Sequence, residues 1–125
     1  MDLYVLPDRL SVCRLPADAP WPHPPANAGF YSATRTASEV CVVCASDDVP
    51  AGAQVEPDWR AMEVAGPLDF GLVGVMANLT QPLAEVGVSV FVISTYDTDY
   101  LMVHAAALER AIDALRLAGH QVQAR

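Results

Sequence analysis

The stretch from Gly66 to Val103 changes its hydrophobic period midway, and that change limits the folds open to the chain. A Gly-Pro turn leads into Leu72, Met76, Leu79, Leu83 and Val86, spaced three or four residues apart as on one face of a helix. Gly87 follows, where a helix often needs a left-handed residue to stop. Val88 to Ser94 is short, β-branched and aromatic, which predicts a strand. The polar loop Thr95 to Asp99 turns the chain, and the apolar run Tyr100 to His104 returns beside the first strand.

The flanks extend this pattern. Trp59 to Val64 alternates as a strand does. Ala106 to Ala118 carries Leu108, Ile112 and Leu115 in helical step, and Gly119 closes it. A short strand is expected near Gln121 to Gln123. Strand, helix, strand, strand, helix, strand is the split βαβ plan of the ferredoxin-like folds, an α+β architecture with two helices on one sheet face.

Residues 1–58 read differently. Leu3 to Leu6 is cut by Pro7, and Leu10 to Leu15 alternates. Pro16 to Pro25 then holds five of the ten prolines, a density no regular helix or inner strand survives. A covering loop is expected there. Pro22 and Pro25 match the bare P-x-x-P spacing but lack a basic flank. Phe30 to Thr36 and Val40 to Ala45 form a hairpin around Ala37-Ser38-Glu39. Asp47 and Asp48 sit in Pro/Gly turn chemistry and read as a solvated tip rather than a metal site. The division expected is a β-rich unit over 1–58 and a βαββα(β) unit over 59–125.

Charge and cysteine content narrow the function classes. The formal net charge is -8, and the seven basic residues are all Arg. Scattered, outnumbered cations give no counterion-release gain, so nucleic acid is not an expected partner. No run approaches the ~20 apolar residues of a bilayer span, and the first residues lack the pattern of a secretion signal. A cytoplasmic protein without a membrane partner is the expectation. Cys41 and Cys44 form a C-x-x-C, but they lie on a predicted strand, where residues three apart face opposite ways. Cys13, His23, His104 and His120 offer no paired metal spacing. Inert packed thiols are expected, with no metal and no cofactor.

The loop Thr95 to Asp99 carries two carboxylates and two threonine hydroxyls at the end of a predicted sheet, where binding groups commonly sit. Asp99 there can take a ligand ammonium or guanidinium. The same residues also read as plain turn chemistry, with Asp99 capping local N–H groups. Phe70-Gly71-Leu72-Val73-Gly74 opens the predicted helix, whose N-terminus suits a carboxylate. Ser94, His104 and Asp99 make no triad, because no nucleophile elbow surrounds Ser94. The chain is not expected to be an enzyme.

The segment Ile93-Ser94-Thr95-Tyr96-Asp97-Thr98-Asp99-Tyr100-Leu101, with Gly66-Pro67-Leu68-Asp69-Phe70, Gly74 to Leu79 and Pro82-Leu83-Ala84, resembles the small bacterial ACT-domain proteins. These are similar to one half of the vertebrate cytosolic arginine sensor. The resemblance implies two tandem ACT-like units with antiparallel sheets, the first degenerate and bearing Pro16 to Ala28 in place of a helix. It implies an amino-acid or similar small ligand held at an interface between units, in a regulatory or sensor protein. With one half per chain, a homodimer would rebuild that interface. Carried over by position, Thr95, Tyr96 and Asp99 would hold the ligand's polar end. Ser89 and Val90 would offer backbone groups from a strand edge, and Asp69, Phe70, Gly71 and Leu72 would close the site. Leu72 stands where the sensor's ligand-reading loop carries an acidic residue, and an aliphatic group cannot pair a guanidinium. The alternative is a ligand-free protein–protein interaction or oligomerisation module.

Overall fold

The structure is a computed structural model that describes residues 1–125. Two compact units make up the chain: Asp8–Trp59, and Met1–Pro7 together with Arg60–Arg125.

In the first unit, β2 (Leu10–Leu15), β3 (Ser32–Arg35), β4 (Val40–Ala45) and the first half of β5 (Gln54–Val64) pair antiparallel in the order β3–β4–β2–β5. Alternation buries Cys13, Leu15, Val40, Val42 and Cys44 in one cluster. The strand predicted from Trp59 begins five residues earlier, at Gln54. Sequence pattern hides this because Pro57 removes a donor and Asp58 takes a positive φ of 66°, and the ladder with β2 shifts register there. Residues 16–31 contain no helix or strand. That loop is fastened by Arg35, which donates to the Ala19 carbonyl and lies over the Trp21 ring at 5.5 Å. The Asp47–Asp48 pair sits in a 3-10 turn, Ser46–Asp48.

All three cysteines are free. Cys13 and Cys44 are buried, and burial pushes the Cys44 thiol up to about 12, with the neighbouring Cys13 adding to the rise. A raised value keeps the thiol protonated at ordinary pH, and the thiolate is the nucleophile. Iodoacetamide at pH 8 is therefore expected to leave Cys13 and Cys44 unmodified in the native protein. Denaturant should expose three reactive thiols, counted by mass spectrometry.

The second unit takes β1 (Asp2–Val5), the end of β5, α1 (Val75–Glu85), β6 (Phe91–Ser94), β7 (Asp99–His104), α2 (Leu108–Leu117) and β8 (Gln121–Ala124). Its strands run in the order β6–β7–β5–β1–β8. The opening strand enters the sheet between β5 and β8, antiparallel to the first and parallel to the second. That parallel pairing departs from the antiparallel sheets expected. Both helices cover one face, burying Leu79, Leu83, Leu108, Ala111, Ile112 and Leu115 against Leu3, Met62, Val64, Leu101, Val103 and Val122.

Helix α1 is shorter than its apolar pattern. Helix α1 starts at Val75, because Gly74 holds φ at 79°, a left-handed value that ends regular helix on its N-terminal side. Leu72 and Val86 fall outside it, 52% and 41% exposed, so they do not belong to the buried helical face. Pro82 sits inside α1 and has no N–H for the Asn78 carbonyl. The His120 Nε2–H donates to that carbonyl instead, at 3.2 Å.

Candidate functional site

The site is built from two connections of the second unit. One joins β5 to α1, residues 65–74; the other is the β6–β7 hairpin bend, residues 95–98. The bend closes on itself: the Thr95 N–H donates to the Thr98 carbonyl at 2.8 Å, and the Thr95 hydroxyl donates to the same oxygen at 3.2 Å. It is then pinned to its neighbour. Thr98, buried, donates its hydroxyl to the Val64 carbonyl at 2.6 Å. The Leu68 N–H donates to the Asp97 carbonyl at 2.7 Å. Gly66 makes the approach possible, since a Cβ there would stand 3.0 Å from the Thr98 Cβ and 3.1 Å from the Asp97 carbonyl oxygen. Farther out, the Phe70 and Tyr96 rings meet edge to face with centroids 5.0 Å apart.

Between the two connections lies a cavity of about 350 Å³, lined by residues 68–70, Leu72, residues 74–76 and residues 94–99. Three carboxylates, Asp69, Asp97 and Asp99, stand on its wall, with no Arg or His. Asp99 accepts the Ser94 hydroxyl at 2.6 Å through one oxygen. Asp69 is committed to its own loop: its side chain accepts the Gly71 N–H at 2.7 Å, and its carbonyl accepts the Leu72 N–H at 3.1 Å. The first turn of α1 forms another wall. The Asn78 N–H makes the first helical bond, to Gly74, and no side chain caps the N–H groups before it. The cavity thus joins carboxylates that can accept from a cation with helix N–H groups that can donate to an anion.

Of the residues expected in a site, Asp69, Phe70, Leu72, Thr95, Tyr96 and Asp99 line this cavity together. Gly71 lies in the same connection without lining it. Ser89 and Val90 do not line this cavity, and they precede β6, which begins at Phe91. The β-branched run from Val88 overstated the strand: the Val88 N–H is bonded back to the Leu83 carbonyl at 2.9 Å, as part of the helix exit. Sequence reasoning passed over Leu68, Val75, Met76 and Ser94 as lining, and it noted Gly74, Asp97 and Thr98 within their segments without assigning them to the ligand. Asp97 and Thr98 were legible from continuity with the loop. Val75 and Met76 were not, since their helical spacing reads as core.

Strand order, helix placement and the loop-walled cavity define a class: a ferredoxin-like βαββαβ domain widened by one N-terminal strand. The chain belongs to the ACT-domain family, whose model matches residues 54–116. A further model, for an N-terminal domain, matches residues 8–52. A crystal structure of an Agrobacterium tumefaciens protein aligns at TM-score 0.87 and 34% identity, covering 99% of this chain and 92% of that one. The regulatory subunit of aspartate kinase from Thermus thermophilus aligns at TM-score 0.59 and 13% identity, over 90% of this chain and 93% of that one, a likeness of fold. The rat cytosolic arginine sensor for mTORC1 subunit 1 is 37% identical over 59 residues, 46% of this chain. That match spans only 18% of the sensor's length. Of these, the Thermus protein is a regulatory subunit and the rat protein a sensor. No helix is long and apolar enough to cross a membrane.

Proposed function

We propose that the chain is an amino-acid-binding regulatory or sensor module and not an enzyme, with its ligand in the cavity between the β5–α1 connection and the hairpin bend. The observation that carries this is the pairing of those two loops around a space of about 350 Å³, within the range of small-ligand sites. Asp99, with one oxygen on Ser94, has a second to accept from a ligand ammonium. The α1 N-terminus supplies N–H groups for the carboxylate. Leu72 makes the loop side aliphatic. Family membership, the arginine-sensor match and the aspartate kinase likeness support the reading. The same reading takes the N-terminal half as a degenerate ACT-like unit, with Pro16 to Ala28 in place of its helix. It takes the assembly as a cytoplasmic homodimer whose partner copy completes the site, so that ligand and dimerisation stabilise each other.

Calorimetry across the twenty amino acids is expected to give saturable heat with at least one of them. Asp99→Ala should weaken that binding by about tenfold or more, the loss of one charge-assisted pair. A flat panel with a folded protein, or unchanged affinity in Asp99→Ala, would remove the reading.

One observation favours the ligand-free interaction module instead. Phe70, Val73 and Tyr96 are 75%, 93% and 81% exposed around the cavity mouth. Clustered exposed apolar groups mark contact surfaces. Val73→Ser separates the two, because Val73 is exposed beside the mouth but does not line the cavity: a docking surface loses its partner in pull-down, whereas a ligand site keeps its heat.

A further inference from the structure

The hairpin bend has a second side. Across Asp97 and Thr98 from the first cavity lies another, of about 390 Å³, lined by Tyr4, Glu63, residues 65–67, Asp97, Thr98 and Arg125. Its charge is different in kind. The first cavity has carboxylates alone, whereas this one holds a guanidinium as well.

That guanidinium is held in place. Arg125 follows β8, and its N–H donates to the Val5 carbonyl at 3.1 Å, which anchors its backbone on β1. Its side chain lies over the Tyr4 ring at 4.8 Å and pairs with Glu63 at 3.1 Å. Glu63 does not depend on Arg125 alone, because its other oxygen accepts the Tyr100 hydroxyl at 3.1 Å. Burial first, and then the Glu63 carboxylate, push the Tyr100 phenol up from its ordinary value, so it remains a donor at neutral pH. The Arg125 side chain is 52% exposed while Glu63 is 18% exposed. One edge of the guanidinium is spent on Glu63, and a guanidinium carries five N–H donors in a fixed fork. The remainder faces solvent beside the cavity, held by a ring and an ion pair, which lowers the ordering cost of binding. Asp97 is part of the same wall.

We propose that this cavity is a second binding site, for a small zwitterion of the α-amino-acid class, whose carboxylate meets Arg125 and whose ammonium meets Asp97. It does not depend on occupancy of the first cavity. The aromatic rings make the two sites separable: Phe70 and Tyr96 flank the first cavity, and Tyr4 and Tyr100 flank Arg125 and Glu63.

The test is a titration of the whole chain with each of the twenty amino acids at millimolar concentration, following assigned aromatic ring resonances by NMR. Acetate and butylamine serve as single-charge controls. At least one amino acid is expected to shift the Tyr4 and Tyr100 rings saturably, whatever happens at Phe70 and Tyr96. Both controls should bind at least about tenfold more weakly, since each forms only one of the two charge pairs. Arg125→Gln should weaken the response by a similar factor, and Arg125→Lys should recover part of it, keeping the charge without the fork. Should either variant fail to fold, the wild-type titration with its controls decides alone. Silent Tyr4 and Tyr100 rings, equal response to acetate, or undiminished binding by folded Arg125→Gln would each overturn the second site. A response confined to Phe70 and Tyr96 overturns it while leaving the first cavity's ligand intact.

Discussion

Leu83→Ala should cost about 2–5 kcal/mol in urea unfolding, the usual range for truncating a fully buried leucine. The upper half of that range is expected, because α1 is poorly equipped to stand alone. It begins without a side-chain cap, carries Pro82 in its interior, and buries only Leu79 and Leu83 fully. Losing one of two anchors removes a large share of what holds the helix to the sheet, since short helices depend on packing rather than propensity. The effect should reach the site, as the first turn of α1 is a cavity wall. A lowered urea midpoint together with weakened amino-acid heat is the expected pair of results. A midpoint unchanged from wild type would mean that α1 is not held by this contact.

Thr98→Val should cost about 1–3 kcal/mol, although it conserves shape. The Thr98 side chain is buried, and its hydroxyl donates to the Val64 carbonyl at 2.6 Å. Valine fills the space and leaves a buried acceptor without its donor. Thr98→Ser keeps the hydroxyl and should recover most of the loss. This contrast distinguishes the hydrogen bond from packing, and denaturant midpoints of the three proteins measure it. Because the same bond fixes the bend against the end of β5, Thr98→Val should also weaken any ligand bound between the two loops. Equal stability of the valine and serine variants would place the bend's rigidity elsewhere, in the Leu68–Asp97 bond.

The element order of the second unit was legible in the sequence because each element writes its own period. Leu108, Ile112 and Leu115 recur at helical steps, and all three are buried. The β2 and β4 bounds were likewise readable, since β-branched and alternating residues fill both strands. Ends were harder. Leu72 continues the apolar rhythm of α1, yet one positive φ at Gly74 excludes it. Val88 and Val90 have strand composition, yet the ladder with β7 starts at Phe91, because ladder pairing depends on a neighbour and not on propensity.

By itself, the sequence determined the period of each helix and most strands, the proline-bound loop, and a polar bend between two strands. These are local properties, set by side-chain shape, turn chemistry and spacing. Tertiary structure alone decided that β1 enters the second unit's sheet beside β8, that residues 66–74 meet the bend across Gly66, and that Asp97 faces two cavities of different charge. Each depends on contact between residues some 30 to 120 positions apart, as in Val64 with Thr98 and Asp2 with Gln121. No local pattern encodes such contacts, because chain folding and not spacing brings those atoms together.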